Sequence, residues 1–172
     1  MPNVNPVSIF GQVPSSNPTY GHILAGKLGK WEFQLYPQLW YDSQLAVVNS
    51  ISWTRVKFGH NTLDQVPEGS GVYFFAVEGR VDLIDVHHYL FYAGKAETGL
   101  RSRYSDYLEE REGRCPEEDR NKVTEFLAYF QENVYFYFSE LPREQTAAVE
   151  SAIKDNLTPP ANTILKIKGR LV

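Results

Sequence analysis

The sequence predicts a mixed α+β domain, and three observations carry that prediction. Two aromatic runs bounded by glycine, Gly71-Val72-Tyr73 and Phe91-Tyr92-Ala93-Gly94, read as paired strands. The second run turns into Leu100 to Tyr107, whose polar residues suit a helix standing over the sheet edge. Further on, Val123, Phe126, Leu127 and Phe130 fall at i, i+3, i+4 and i+7, the apolar stripe of an amphipathic helix. A chain of 172 residues suits one domain, with or without an extension, and buries a core without cross-links.

Taken in order, Met1 to about Tyr20 is punctuated by Pro2, Pro6, Pro14 and Pro18 and reads as an extended arm with too little apolar surface to fold alone. From Ile23 to Phe58 come short aromatic-rich runs: Lys30 to Leu35, Leu39 to Tyr41, Leu45 to Val48 and Trp53 to Phe58. The first alternates polar and apolar at period two, the pattern of a half-buried strand, so residues 1–66 are expected to form a β-rich N-terminal extension. Pro67 and Gly69 belong to a turn cluster, Asn61 to Ser70, that marks the start of the principal domain, 67–172. The two strands after it are separated by Glu78-Gly79-Arg80 and the run Val81 to Tyr89, a connection longer than a tight hairpin into which the strands can extend.

Thr98 is the expected N-cap of a helix from Leu100 to about Glu110, its hydroxyl accepting a free N–H of the first turn. Arg103 and Tyr107, four apart, share one face of it. A second helix is expected over Glu117 to Glu132. Val134 to Phe138 is too short and too aromatic for anything but a buried strand, and Pro142 then opens a third helix, Arg143 to about Leu157. Thr158-Pro159-Pro160-Ala161-Asn162 is a turn, and Ile164 to Leu171 a short basic strand-like segment.

A single cysteine, Cys115, excludes an internal disulfide and has no partner for zinc or catalysis. No basic start followed by a long apolar run marks a signal peptide or a membrane span, so a cytoplasmic protein without membrane contact is expected. The formal net charge of -4 works against nucleic-acid affinity, which comes largely from lysine and arginine displacing phosphate counterions. Its distribution works the other way. Glu109, Glu110, Glu112, Glu117, Glu118 and Asp119 crowd together, leaving Lys95, Arg101, Arg103 and the tail residues Lys166, Lys168 and Arg170 as basic islands that can hold phosphates.

Glu150 is the most informative single residue. Thr146, Val149, Ile153 and Leu157 form one stripe of the third helix, and Glu150 lies in it, away from the charged face with Arg143, Lys154 and Asp155. A carboxylate facing a sheet is costly unless it meets a cation or holds a metal, so both a salt bridge to an arginine such as Arg103 and a metal site stand open. Tyr73 and Tyr92 are core aromatics by default in a chain with 11 tyrosines, yet the glycines beside them let backbone or substrate approach closely. Arg101 and Arg103 are both helix-surface arginines, most of which stay solvated. Asn162 in a proline-rich turn is by itself a turn residue. The pair His87-His88 raises a histidine-and-metal nuclease motif, but no histidine follows to complete it.

Gly71-Val72-Tyr73, Tyr92-Ala93-Gly94, the arginine after them and the glutamate on a later helix together resemble a GIY-YIG nuclease domain. The resemblance covers roughly the last two thirds of the chain, with Val72 and Ala93 replacing the family's letters by other small apolar residues. It implies a small, largely antiparallel three-stranded central sheet flanked by helices. It also implies that Glu150 holds one divalent cation, Mg2+ or Mn2+, and that Tyr73 and Tyr92, with Tyr73 favoured, orient or deprotonate the attacking water. Arg103, four residues before Tyr107, would neutralise charge on the scissile phosphate with its planar fork of donors. Lys95 would assist the water, Asn162 would help shape the site, and Arg101, Asn162, Lys166 and Lys168 would contact the substrate. A phenol with a pKa of about 10 needs a metal or a cation such as Lys95 beside it to act as a base.

The expected function is therefore a metal-dependent endonuclease that hydrolyses DNA phosphodiesters in restriction or anti-phage defence, with repair or a mobile element as alternative settings and a homodimer or a partner protein left open. The rival is a catalytically inactive, nuclease-like module that binds nucleic acid or protein.

Overall fold

The computed structural model describes residues 43–81, 84–113, 121–130 and 133–162. Lys30 to Leu35, Cys115 and the basic tail from Lys166 to Arg170 lie outside the described residues. In chain order the elements are helix α1 (Ser43–Ser50), strand β1 (Thr54–Lys57), a 3-10 turn (His60–Gln65), strands β2 (Gly71–Val81) and β3 (Ile84–Ala96), helices α2 (Leu100–Arg111) and α3 (Asn121–Tyr129), strand β4 (Val134–Glu140) and helix α4 (Arg143–Leu157).

The strands form one antiparallel sheet in the order β1-β4-β2-β3, so the fold is α+β. Four strands take the place of the three expected. The additional one comes from the run Trp53 to Phe58, where Arg55 pairs with Tyr137 and Val56 with Phe136. The rest of the described N-terminal third is not β-rich, because Leu45 to Val48 lies in α1. Valines favour strands only where a pleated surface receives them, and here α1 docks on α4, burying Val48 and leaving Val47 exposed.

Period-two alternation in β2 feeds two cores. Tyr73, Phe75 and Val77 join Phe91, Phe136 and the α2 and α3 residues Leu100, Tyr104, Tyr107 and Phe126 on one side of the sheet. On the other, Val72 and Ala93 meet Val149, Ala152 and Ile153 of α4 and Val48 of α1. Each large apolar side chain so enclosed contributes ~1.5–3 kcal/mol, which is why β2 carries no charge before Glu78. That carboxylate is buried but satisfied, accepting from the Tyr137 hydroxyl at 2.6 Å and from Arg55 Nη1 at 2.9 Å. Burial, together with Glu78, pushes the Tyr137 phenol up to about 12. β2 and β3 run on until Val81 pairs with Ile84, a tighter connection than the sequence implied.

Thr98 does not cap α2. Gly99 holds that position at φ 156° with no side-chain cap, and the N–H groups of Leu100 and Arg101 donate instead to the carbonyls of Gly69 and Pro67, each at 2.9 Å. A Cβ on Gly99 would come 2.7 Å from the Glu68 carbonyl oxygen, so the loop can close over the helix end only on a glycine. α3 buries Val123, Phe126 and Leu127 of the predicted stripe, while Phe130, the fourth, falls just past the helix end at Tyr129 and is partly buried; α4 begins after Pro142 and spans the predicted residues. Among the described residues no helix is long and apolar enough to cross a membrane.

Candidate active site

Tyr73 on β2 lies opposite Gly94 and Phe75 opposite Tyr92, which puts both motif tyrosines on the side of the sheet covered by α2. Tyr107 reaches down from α2 to meet them. The rings of Tyr73, Tyr92 and Tyr107 stand 5.9–6.3 Å apart, and the Tyr73 and Tyr107 hydroxyls are 3.0 Å apart. Tyr73 fits there because residue 94 has no side chain: a Cβ would sit 2.5 Å from its hydroxyl and 2.6 Å from Cζ. The glycine of the second motif therefore admits the tyrosine of the first.

Burial pushes the Tyr73 and Tyr107 phenols well above their ordinary value. For Tyr73 the neighbouring Tyr92 adds to the effect, while the hydrogen bond to Tyr107 and the charge of Arg103 oppose it. Arg103, one helical turn before Tyr107, is partly exposed and meets Asp106 at only 3.5 Å. Tyr92 is half-buried. The cluster thus comprises two enclosed phenols held neutral, one phenol at the solvent boundary and a guanidinium with a distant partner.

Lys95 pairs with Val72, whose side chain belongs to the core under α4, so Lys95 stands on the opposite side of β3 from the tyrosines. Its Nζ donates to Glu97 Oε1 at 2.5 Å, and Glu97 Oε2 accepts from Arg143 Nη2 at 3.1 Å. The Glu97 carboxylate raises the Lys95 pKa most, with a smaller contribution from Glu150 on the same side. The Glu150 side chain is only 15% exposed, yet it lies at the border of the buried stripe of Thr146, Val149, Ala152 and Ile153 and turns toward the charged face from which the sequence had separated it. Its partner is Lys154, one turn on at 2.7 Å, where the sequence had suggested Arg103.

The two remaining described candidates hold structure together. Arg101 donates through Nε to the Val66 carbonyl at 2.7 Å and through Nη1 to Glu68 at 2.8 Å, pinning the loop before β2. Asn162 accepts from the Ala93 N–H at 2.7 Å and donates to the Ala93 carbonyl at 2.8 Å, capping the edge of β3 at the middle residue of the second motif. Lys166 and Lys168 lie outside the described residues. His88 Nδ1 lies 3.2 Å from the Tyr137 hydroxyl and 3.4 Å from Glu78, a cross-strand polar row.

Among the described residues no group of three or more His, Cys, Asp or Glu side chains could hold a metal ion. A lone carboxylate still suits Mg2+, which keeps several waters and takes further oxygens from a substrate phosphate. Glu150 is paired with Lys154 at 2.7 Å, so it could serve in that way only by exchanging the ammonium for the metal. Sequence reasoning missed Glu97 and left Arg143 on a charged face. Their pairing joins the end of β3 to the start of α4 across a long stretch of chain, and no local pattern announces it. No protein-family model, curated protein or solved structure matches this chain.

Proposed function

We propose that the chain is a metal-dependent endonuclease of the GIY-YIG type that hydrolyses DNA phosphodiesters, acting in the cytoplasm in restriction or anti-phage defence. The observation that carries this reading is the cluster of Tyr73, Tyr92 and Tyr107 beside Arg103; Lys95 and Glu150 lie on the other side of β3, an edge strand of the described sheet, and would reach the same phosphate around that edge. Arg103 grips a non-bridging oxygen of the scissile phosphate with two donors, a task its exposure and weak partner leave it free to perform. Tyr92, at the solvent boundary, positions the attacking water. Tyr73 acts through a protonated hydroxyl that orients its neighbours, because burial opposes its ionisation. Lys95 adds positive charge from the far side of the strand. Glu150 would hold Mg2+ or Mn2+, which would supply Lewis-acid polarisation of the phosphate and charge stabilisation of the leaving oxygen. Residues 67–172 hold this site, and the segment before it contributes β1 to the sheet and, further upstream, contacts to DNA.

The pair Glu150–Lys154 favours a second reading, a nuclease-like module that binds nucleic acid or protein without cutting, since a carboxylate already matched by a cation does not require a metal. Plasmid and oligonucleotide substrates incubated with magnesium, with manganese and with chelator separate the two. Nicked or linear plasmid appearing only with metal is the expected result, and intact substrate under every condition defeats the nuclease reading.

A further inference from the structure

Glu97 divides its carboxylate between two cations from distant parts of the chain, Oε1 toward Lys95 at the end of β3 and Oε2 toward Arg143 at the start of α4. An acidic group bridged by an ammonium and a guanidinium is an anion site filled from within. All three side chains remain in contact with solvent, at 35% exposure for Lys95 and Glu97 and 69% for Arg143. The hydrogen bonds from Lys95 and Arg143 hold the Glu97 carboxyl below its usual range, so it stays charged. Both cations lie within hydrogen-bond reach of this one carboxylate, at 2.5 Å and 3.1 Å, so without it they would face one another as like charges.

We propose that Lys95 and Arg143 form a phosphate subsite that Glu97 occupies until a nucleic-acid backbone displaces it. The inference rests on the nuclease reading above and deepens it, because Lys95 directly follows Gly94 and shares its side of the sheet with Glu150. The subsite accordingly takes a phosphate beside the one to be cut. A phosphodiester offers the same two donors an equivalent pair of oxygens, and exposed ion pairs contribute only about 0–1 kcal/mol, so the exchange of one anion for the other is easy. Glu97 thereby selects for ligands that bring further contacts along with the phosphate, since an isolated anion gains little by replacing it.

The test is binding of a short labelled DNA duplex in chelator, followed by fluorescence anisotropy over a range of salt concentrations. Glu97→Gln should tighten binding about three- to tenfold. Lys95→Gln and Arg143→Gln should each weaken it and reduce the slope of log Kd against log salt by about one. Glu109→Gln, an exposed site on α2, controls for net charge and should shift Kd less than Glu97→Gln. The gain from Glu97→Gln should also disappear in the Lys95→Gln/Arg143→Gln background. A purely structural Glu97 would give a lower melting temperature and no tighter binding. If Glu97→Gln binds no better than Glu109→Gln while wild-type protein still cuts with magnesium, the subsite is wrong and the nuclease reading survives. Wild-type protein that neither binds nor cuts overturns both.

Discussion

The hydroxyl of Tyr73 lies 3.0 Å from that of Tyr107, and neither side chain reaches water. Burial raises both folded-state pKa values, Tyr104 follows for the same reason, and Tyr137 is pushed up to about 12. In the unfolded chain each tyrosine titrates near ~10, so their stabilisation is complete below that pH and is lost as pH rises through the folded values. Unfolding free energy should therefore show no slope from these groups up to about pH 9, then fall by as much as ~1.4 kcal/mol per pH unit for each of the enclosed Tyr73 and Tyr107, and by less for the partly exposed Tyr137. Denaturant titrations in steps across the alkaline range check this, and Tyr73→Phe should flatten the curve. A free energy unchanged to about pH 11 would show that the phenols are open to solvent.

Gly94→Ala should destabilise by about 2–3 kcal/mol. Its Cβ would meet both the hydroxyl and Cζ of Tyr73, whose ring is stacked on Phe136 at 5.2 Å and tied to Tyr107. Because Cζ would be only 2.6 Å away, adding Tyr73→Phe should not relieve the clash. Comparing the single and double variants by thermal denaturation decides whether the ring is as confined as it looks.

Arginine-to-lysine changes should separate the two arginines of α2. Arg101→Lys loses donors to the Val66 carbonyl and Glu68 and should lower stability by ~1 kcal/mol while sparing the cleavage rate of the folded protein. Arg103→Lys should leave stability nearly unchanged and cut the rate severely, since a point charge cannot reproduce a two-pronged grip on phosphate. Equal kinetic losses would remove the distinction between them.

Glu150→Gln should lower cleavage by several orders of magnitude, each ~1.4 kcal/mol of lost transition-state stabilisation being tenfold, with DNA binding in chelator retained. Lys154→Gln, which breaks the same ion pair from its other end, should leave cleavage close to wild type. Were Glu150 only a salt-bridge partner, both variants would melt earlier and both would still cut.

Much of this was legible in local sequence. The aromatic runs around Tyr73, Tyr92 and Phe136 have the alternation of strands buried on two sides, and Pro142 with the stripe Thr146, Val149 and Ile153 defines α4. Other features depend on partners far along the chain. Leu45 to Val48 has the composition of a strand and becomes helical against α4, and Thr98 yields its capping role to the carbonyls of Pro67 and Gly69. At the site, the enclosure of Tyr73 and the sharing of Glu97 by Lys95 and Arg143 are likewise tertiary facts. The family resemblance, and not local geometry, singled out Arg103 over Arg101; in the structure Arg103 has the weaker ties to its surroundings.

The strand order has a consequence for synthesis. β2 and β3 are neighbours in sequence and can zip together as soon as both have left the ribosome, but β4 must insert between β1 and β2, which were made long before it. Until Val134–Glu140 emerges, Thr54–Lys57 has no partner in the described sheet and one flank of the hairpin stays bare, an edge on which another chain can template. The wait costs little in loop-closure entropy, which grows only logarithmically with length, but it exposes the nascent protein throughout. A ribosome stalled before Val134 would therefore carry two unjoined pieces of sheet, and the late strand is the one that welds them.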